Sequence, residues 1–244
     1  MKLITLFALI LLPVLAQAEK IRVVTEHLAP YQIFDADGKL SGFMTEVVLA
    51  IFEVAGDEPD IQVLPWKRAF RIATQEKNVM IYSIAQTPER KDKFHWVGQA
   101  SEEPLYLWSL ASHSYTKSSN ISDYKHYRIA SLRGSNVATY LRNNDFSFLV
   151  ELNSEQNILP MLQLNRVDFV SGSYQLVKHR ADMANIPMEQ LTPVVTIPEV
   201  TMSPSIALSI NSDPKLVQRM KNAFNKLERS GKLQVIRNKW LGVD

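Results

Sequence analysis

Short β-rich runs alternate with amphipathic helical stretches along this chain, and that alternation limits the possible folds more than any other feature. Ile21-Arg22-Val23-Val24 reads as a strand that ends in the polar loop Thr25-Glu26-His27. Pro30–Phe34 follows, then Asp35-Ala36-Asp37-Gly38, a turn sequence with Gly where positive φ is easiest. From Ser41 to Val54 the apolar residues Phe43, Val47, Val48, Ile51 and Phe52 recur at helical spacing, and Asp60–Leu64 reads as a second strand. Pro65 opens an amphipathic helix with Trp66, Ala69, Phe70 and Ala73 on one side, and Val79–Ser83 is a third strand. The pattern returns further on: strand Arg128–Leu132, the turn Gly134-Ser135-Asn136 capping a helix, a helix over Asn157–Leu164, and the strand Val167–Val170. Two helices close the chain, Asp213–Leu227 and Leu233–Trp240, the first with Pro214 in its first turn. Strands alternating with helices imply an α/β fold with a largely parallel sheet. In such sheets ligands bind at loops beyond the carboxyl ends of the strands, where Glu26, Trp66 and Tyr82–Ser83 fall. Two similar αβ halves joined by extended segments near Glu102–Leu110 and Val200–Ile210 are expected.

Composition excludes several classes. Lys2, the apolar stretch Leu3–Leu15 and the small-x-small site Ala16-Gln17-Ala18 read as a secretory signal peptide, cleaved to leave Glu19–Asp244. The apolar stretch is short for a membrane span, which needs about 20 residues. The chain has no Cys, hence no disulfide and no thiol chemistry. Its net charge of +2 gives no field suited to nucleic acid, and Lys67, Arg68 and Arg71 are too few and too mixed with apolar residues to form a nucleic-acid patch. Five histidines are scattered without HxH or HExxH spacing, so no metal site is expected, and no nucleophile elbow, P-loop or dinucleotide fingerprint is present. The acidic pairs Asp57-Glu58 and Glu102-Glu103 are sequence neighbours that point apart in a strand, and they read as solvated surface.

The stretch Val79–Gly98, VMIYSIAQTPERKDKFHWVG, adds a specific signal: a strand breaks into a polar turn, and a TPER step delivers Arg90 beyond the strand end. With PYQIFDADGKLSGF (Pro30–Phe43), RIASLRGSN (Arg128–Asn136) and LERSGKLQVIRNKWLG (Leu227–Gly242), it resembles the extracellular solute-binding proteins of the polar-amino-acid class, family 3. The resemblance implies a bilobed periplasmic-binding-protein-like fold (type II), two αβ lobes joined by two extended crossover segments. Residues 19–102 and 201–244 would form one lobe and 103–200 the other. It implies a periplasmic, monomeric binding protein without cofactor, working with an ABC permease or a membrane sensor. Arg90 would clamp a ligand carboxylate, because a guanidinium donates two parallel hydrogen bonds to that group and stays charged. Tyr82 and Ser83 would line the adjoining loop. The turn Arg133–Asn136, with Ser135 and Asn136 at a helix start, would offer free N–H groups and a positive helix end to an anion. Plain helix capping accounts equally for Ser135 and Asn136, and surface pairing for Arg133.

The chain also departs from the family pattern. Where amino-acid binders place an acid for the ligand ammonium, it has Ser171-Gly172-Ser173-Tyr174, leaving Ser173 as the polar group, and the threonine expected ahead of TPER is Ala85. Glu26 or Glu199 could supply negative charge instead, or both could be solvated. An ordinary α-amino acid therefore fits the pattern poorly, and a carboxylate-bearing ligand without a free α-ammonium stays open. The expected solute is a small carboxylate, an amino acid or amino-acid-like. Tyr31, Trp66, Tyr82 and Trp96, with Tyr174 opposite, could enclose a flat moiety, with core packing as the alternative role. LPWKRAF (Leu64–Phe70) looks like a subgroup of these proteins from Gram-negative bacteria. Two other functions fit the same scaffold: a cyclic-acid dehydratase using Glu26 and His27, and a sensory subunit differing only in its partner.

Overall fold

The structure, a computed structural model, describes residues 20–115 and 118–242. The expected signal peptide at 1–18 lies outside them. In chain order the first part comprises β1 (Lys20–Thr25), β2 (Ile33–Phe34), β3 (Leu40–Ser41), α1 (Phe43–Ala55), β4 (Glu58–Val63), α2 (Trp66–Gln75), β5 (Val79–Ile84) and β6 (Phe94–Gln99). The middle part comprises β7 (Glu103–Leu110), β8 (Ile129–Leu132), α3 (Asn136–Asn143), β9 (Leu149–Leu152), α4 (Ile158–Gln163), β10 (Phe169–Gly172), α5 (Tyr174–Ala184) and β11 (Leu191–Met202). The chain then returns as β12 (Ser205–Ser209), α6 (Pro214–Arg229) and α7 (Lys232–Leu241).

Two five-stranded sheets define two lobes. In lobe one the order is β4-β1-β5-β12-β6, with β4, β1 and β5 parallel and β12 antiparallel to both its neighbours. In lobe two it is β11-β7-β10-β8-β9, with β10, β8 and β9 parallel and β7 antiparallel to both its neighbours. Side chains alternate across each sheet, as a strand's period of two requires. Val23, Met80, Tyr82, Ile206 and Leu208 join α1, α6 and α7 in one core, whereas Val24, Ile81 and Ala207 join α2 in another. Lobe two divides the same way, Leu107, Ile129 and Phe169 on one side and Trp108, Ala130 and Val170 on the other. Strands buried on both faces read as continuous apolar runs, which is why β5 and β8 are visible in the sequence.

The chain crosses between lobes twice, through residues 100–102 and 203–204. The crossovers lie side by side: the Ala100 N–H donates to the Pro204 carbonyl at 3.0 Å, and β11 pairs with β7 down to Met202↔Glu103. The lobes also meet beyond this two-stranded connection. Leu176 of α5 packs into the lobe-one core, and the Gln175 amide donates to the Leu241 carbonyl at the end of α7. Sequence periodicity misses α5. Its apolar residues Leu176, Val177 and Ala181 are interrupted by Lys178, His179 and Arg180, yet Arg180 is buried, 6% exposed, because it pairs with Glu155.

Candidate functional site

Arg90 lies past the C-terminal end of β5, in the 3-10 turn Pro88–Lys93. Local contacts fix the turn: the Arg90 N–H donates to the Thr87 carbonyl at 2.9 Å, and the Trp96 indole N–H donates to the Lys91 carbonyl at 3.0 Å. Trp66 and Phe70, one helical turn apart on α2, pack with their rings tilted at 43° and their centroids 5.7 Å apart. The Arg90 guanidinium carbon lies 5.3 Å from each ring, and one of its nitrogens donates to the Ala85 carbonyl at 3.3 Å. Such seating holds a guanidinium in place while leaving its other N–H groups available. No ion pair of the described residues includes Arg90. Burial pulls its pKa below the ordinary value, and Glu89 and Glu26 pull it back. The Leu64–Phe70 segment therefore acts at the site chiefly by positioning Arg90.

The loop after β1 supplies the facing groups. Burial raises the Glu26 carboxyl from 4.5 to about 7, helped by the negative Glu155 of lobe two and opposed by Arg90. Glu155 itself is bonded to Arg180 at 2.5 Å, and His179 of α5, its pKa lowered by burial, senses both Glu155 and His27. Glu26 and His27 of lobe one thus lie close enough to Glu155 and His179 of lobe two for their charges to interact. Tyr31 is fully buried with its ring against Phe43, 6.2 Å between centroids, and its hydroxyl reaches out of the core. That hydroxyl donates to Glu103 Oε1 at 2.8 Å and lies 3.5 Å from Ser173 Oγ of lobe two. Ser83, with φ of 59°, turns the chain at the end of β5 and accepts a hydrogen bond from the Gln32 amide.

Lobe two contributes the starts of α3 and α5, both at the carboxyl ends of parallel strands. Ser135 caps α3, accepting from the Ala138 N–H at 3.1 Å, with Asn136 as the first helical residue. The hydroxyls of Ser171, Ser131 and Ser135 form a chain with links of 2.9 and 3.3 Å. Ser173 caps α5.

The structure brings Arg90, Glu26, Tyr31, Trp66, Ser83 and Ser173 to the lobe-one edge and its junction with lobe two. Two of the expected residues are turned elsewhere. The Tyr82 ring is fully buried and its hydroxyl meets Thr45 Oγ1 at 3.3 Å, so only its backbone borders the site. Arg133, its side chain 61% exposed, is directed to Glu151. Glu199 is exposed on β11. One acid that sequence reasoning assigned to solvent is enclosed: Glu102 is exposed, but the Glu103 carboxylate is covered and bonded to Tyr31. The rule that neighbours in a strand point apart was the available signal, since one of the pair had to point inward. Asp57 departs in the same way, pairing with Arg219 at 2.6 Å with its side chain 8% exposed. Among the described residues no group of His, Asp or Glu is arranged to hold a metal ion.

Residues 21–109, from β1 through β6 and into β7, match the model of the bacterial extracellular solute-binding proteins, family 3. No curated protein sequence matches the chain. Solved structures match over nearly its whole length. A histidine kinase sensor domain with similarity to periplasmic binding proteins superposes with a TM-score of 0.79 at 19% identity, covering 93% of this chain and 97% of that one. The arginine-, lysine-, histidine-binding protein of Geobacillus stearothermophilus gives 0.76 at 19% identity, covering 93% and 96%. A probable amino-acid ABC transporter extracellular-binding protein of Bacillus subtilis gives 0.77 at 18% identity, covering 93% and 99%. At these identities the structures establish the bilobed fold.

Proposed function

We propose that this chain is a periplasmic solute-binding protein that holds a small carboxylate-bearing solute between its lobes and returns it unchanged. Arg90 carries this reading: a cation without an ion-pair partner among the described residues, seated against two aromatic rings past the carboxyl end of a parallel strand. A seated guanidinium needs an anion, and a carboxylate matches its fork. The starts of α3 and α5 add N–H groups from lobe two, so a solute touching both lobes is held best when they come together. The proposed output is delivery to an ABC permease, in keeping with the Bacillus subtilis neighbour, a probable amino-acid ABC transporter extracellular-binding protein. The histidine kinase sensor domain favours a second output, in which the same closure is read by a membrane receptor. A leader at residues 1–18 and a monomeric state complete the reading.

The test is calorimetry on Glu19–Asp244 with amino acids, their derivatives, dicarboxylates and aromatic acids. A carboxylate is expected to bind and to be recovered intact. Arg90→Ala is expected to weaken it by several kcal/mol, since removing one partner of a desolvated charge pair strands the other. Undiminished affinity in that variant, with its melting temperature unchanged, removes the reading. Chemical conversion of the solute would instead make the protein an enzyme on this scaffold.

A further inference from the structure

The lobes touch through more than their connection, and the contacts converge on one turn of helix. The start of α5, residues 173–176, meets lobe one at three places. Ser173 Oγ lies 3.5 Å from the Tyr31 hydroxyl, whose loop is bonded to the start of α1. The Gln175 side-chain amide donates to the Leu241 carbonyl at the end of α7. Leu176, 9% exposed, belongs to the buried cluster built on α1, α6 and α7 rather than to either core of its own lobe. We propose that the first turn of α5 is a latch, which holds a share of the solute-free protein in the closed form. The solute then draws in the rest. This rests on the reading that a solute is held between the lobes, and adds what sets the cleft before the solute arrives.

The contacts differ in weight. Parting the lobes returns the Gln175 amide and the Leu241 carbonyl to water, which satisfies both, so their bond counts for little in the balance. It does fix where the turn sits. Leu241 is in the last turn of α7, whose carbonyls lack partners within the helix, and a donor from the other lobe occupies one of them. Leu176 counts most, because separation would hand its apolar side chain to water. Tyr31 ties lobe one to the start of β7 as well, its hydroxyl donating to Glu103 Oε1 at 2.8 Å.

Opposing these contacts, the carboxylates of Glu26 and Glu155 come from different lobes and lie close enough to interact. Apolar burial set against charge repulsion leaves both forms populated, as a cleft that must also admit its solute requires. The latch is separate from the seat of Arg90. Trp66 and Phe70 pack with Ile81 and Ala207 on the other side of the lobe-one sheet, away from the cluster that receives Leu176.

The experiment is small-angle scattering on solute-free Glu19–Asp244, comparing the wild type with Leu176→Ala and Gln175→Glu, each checked by its melting temperature. A carboxylate in the first turn of α5 suits the helix N-terminus, so Gln175→Glu keeps α5 sound while losing the donor to the Leu241 carbonyl. Both variants are expected to show a larger radius of gyration than the wild type, Leu176→Ala the more so. In Leu176→Ala the closed-to-open ratio is expected to fall about tenfold. A carboxylate found to bind the wild type should then bind the variants more weakly, by up to the factor lost from the closed fraction, although Arg90 is in place. Radii equal to that of the solute-free wild type overturn the proposal, and Gln175→Glu decides alone if Leu176→Ala does not fold. The radius is measured without solute, so that result stands apart from any failure of Arg90 to hold a carboxylate.

Discussion

At the first loop, burial and the facing Glu155 carboxylate raise the Glu26 pKa from 4.5 to about 7, and Arg90 only partly offsets them. A carboxyl raised on folding binds its proton more tightly in the native state, so the native state is favoured at low pH. That contribution is fully present below about 4.5 and is lost as pH rises to about 7. The corresponding cost above pH 7 is on the order of 1–3 kcal/mol once solvent screening at a partly exposed site is allowed for. Glu26→Gln is therefore expected to melt with the wild type near pH 4 and above it near pH 8, in the absence of solute. Parallel melting curves at both pH values would show that Glu26 is not strained in the empty protein. Binding sites commonly carry such costs, which a complementary solute relieves. At this scale Arg90 was legible because TPER is a local string. The enclosure of Glu103 was not, since it depends on Tyr31 and Ser173, which are far from it in the chain.

The secondary-structure elements position the site through their ends. Gly42, with φ of 108°, precedes α1, and a Cβ built on it would meet the Tyr31 carbonyl at 2.6 Å. Only glycine fits both the dihedral and the approach, and the Phe43 and Met44 N–H groups bond the Pro30 and Tyr31 carbonyls as a result. The loop that aims the Tyr31 hydroxyl at Glu103 is thus clamped to the start of α1. Gly42→Ala is expected to lower stability by about 2 kcal/mol or more and the melting temperature by roughly 4–8 °C. It should weaken solute binding as well, through Tyr31. A normal melting temperature would mean that the loop yields easily. Helices α1, α6 and α7 were readable from periodicity and punctuation. The charged residues of α5 concealed it, because the burial of Arg180 follows from a partner on another element.

At the scale of the molecule, the proposed function would depend on the paired crossovers. Two adjacent extended segments would let the lobes rotate while β7 and β11 stay paired, provided that the contacts of Leu176 and Gln175 with lobe one give way. Solute contacts from both lobes would draw the equilibrium toward the closed form. Small-angle scattering is expected to show a decrease in radius of gyration when a carboxylate found to bind saturates the wild type, and none with Arg90→Ala at the same concentration. A wild-type radius that does not change on saturation would count against closure as the output and against docking that reads it.

Alternation of period-two and helical-period segments, the cap at Ser135, the first-turn Pro214 and the strand-end arginine are local properties, and local chemistry specifies them in the sequence. From these follow the α/β class, the two lobes and the place to look for a site. Long-range packing decided the rest. It set β12 between β5 and β6, paired β11 with β7, turned the Tyr82 ring into the core and directed Arg133 to Glu151. It also left one carboxylate oxygen of Glu103 enclosed beside Ser173. Burial and charge pairing depend on neighbours distant in sequence, so these placements emerge only when the chain is folded.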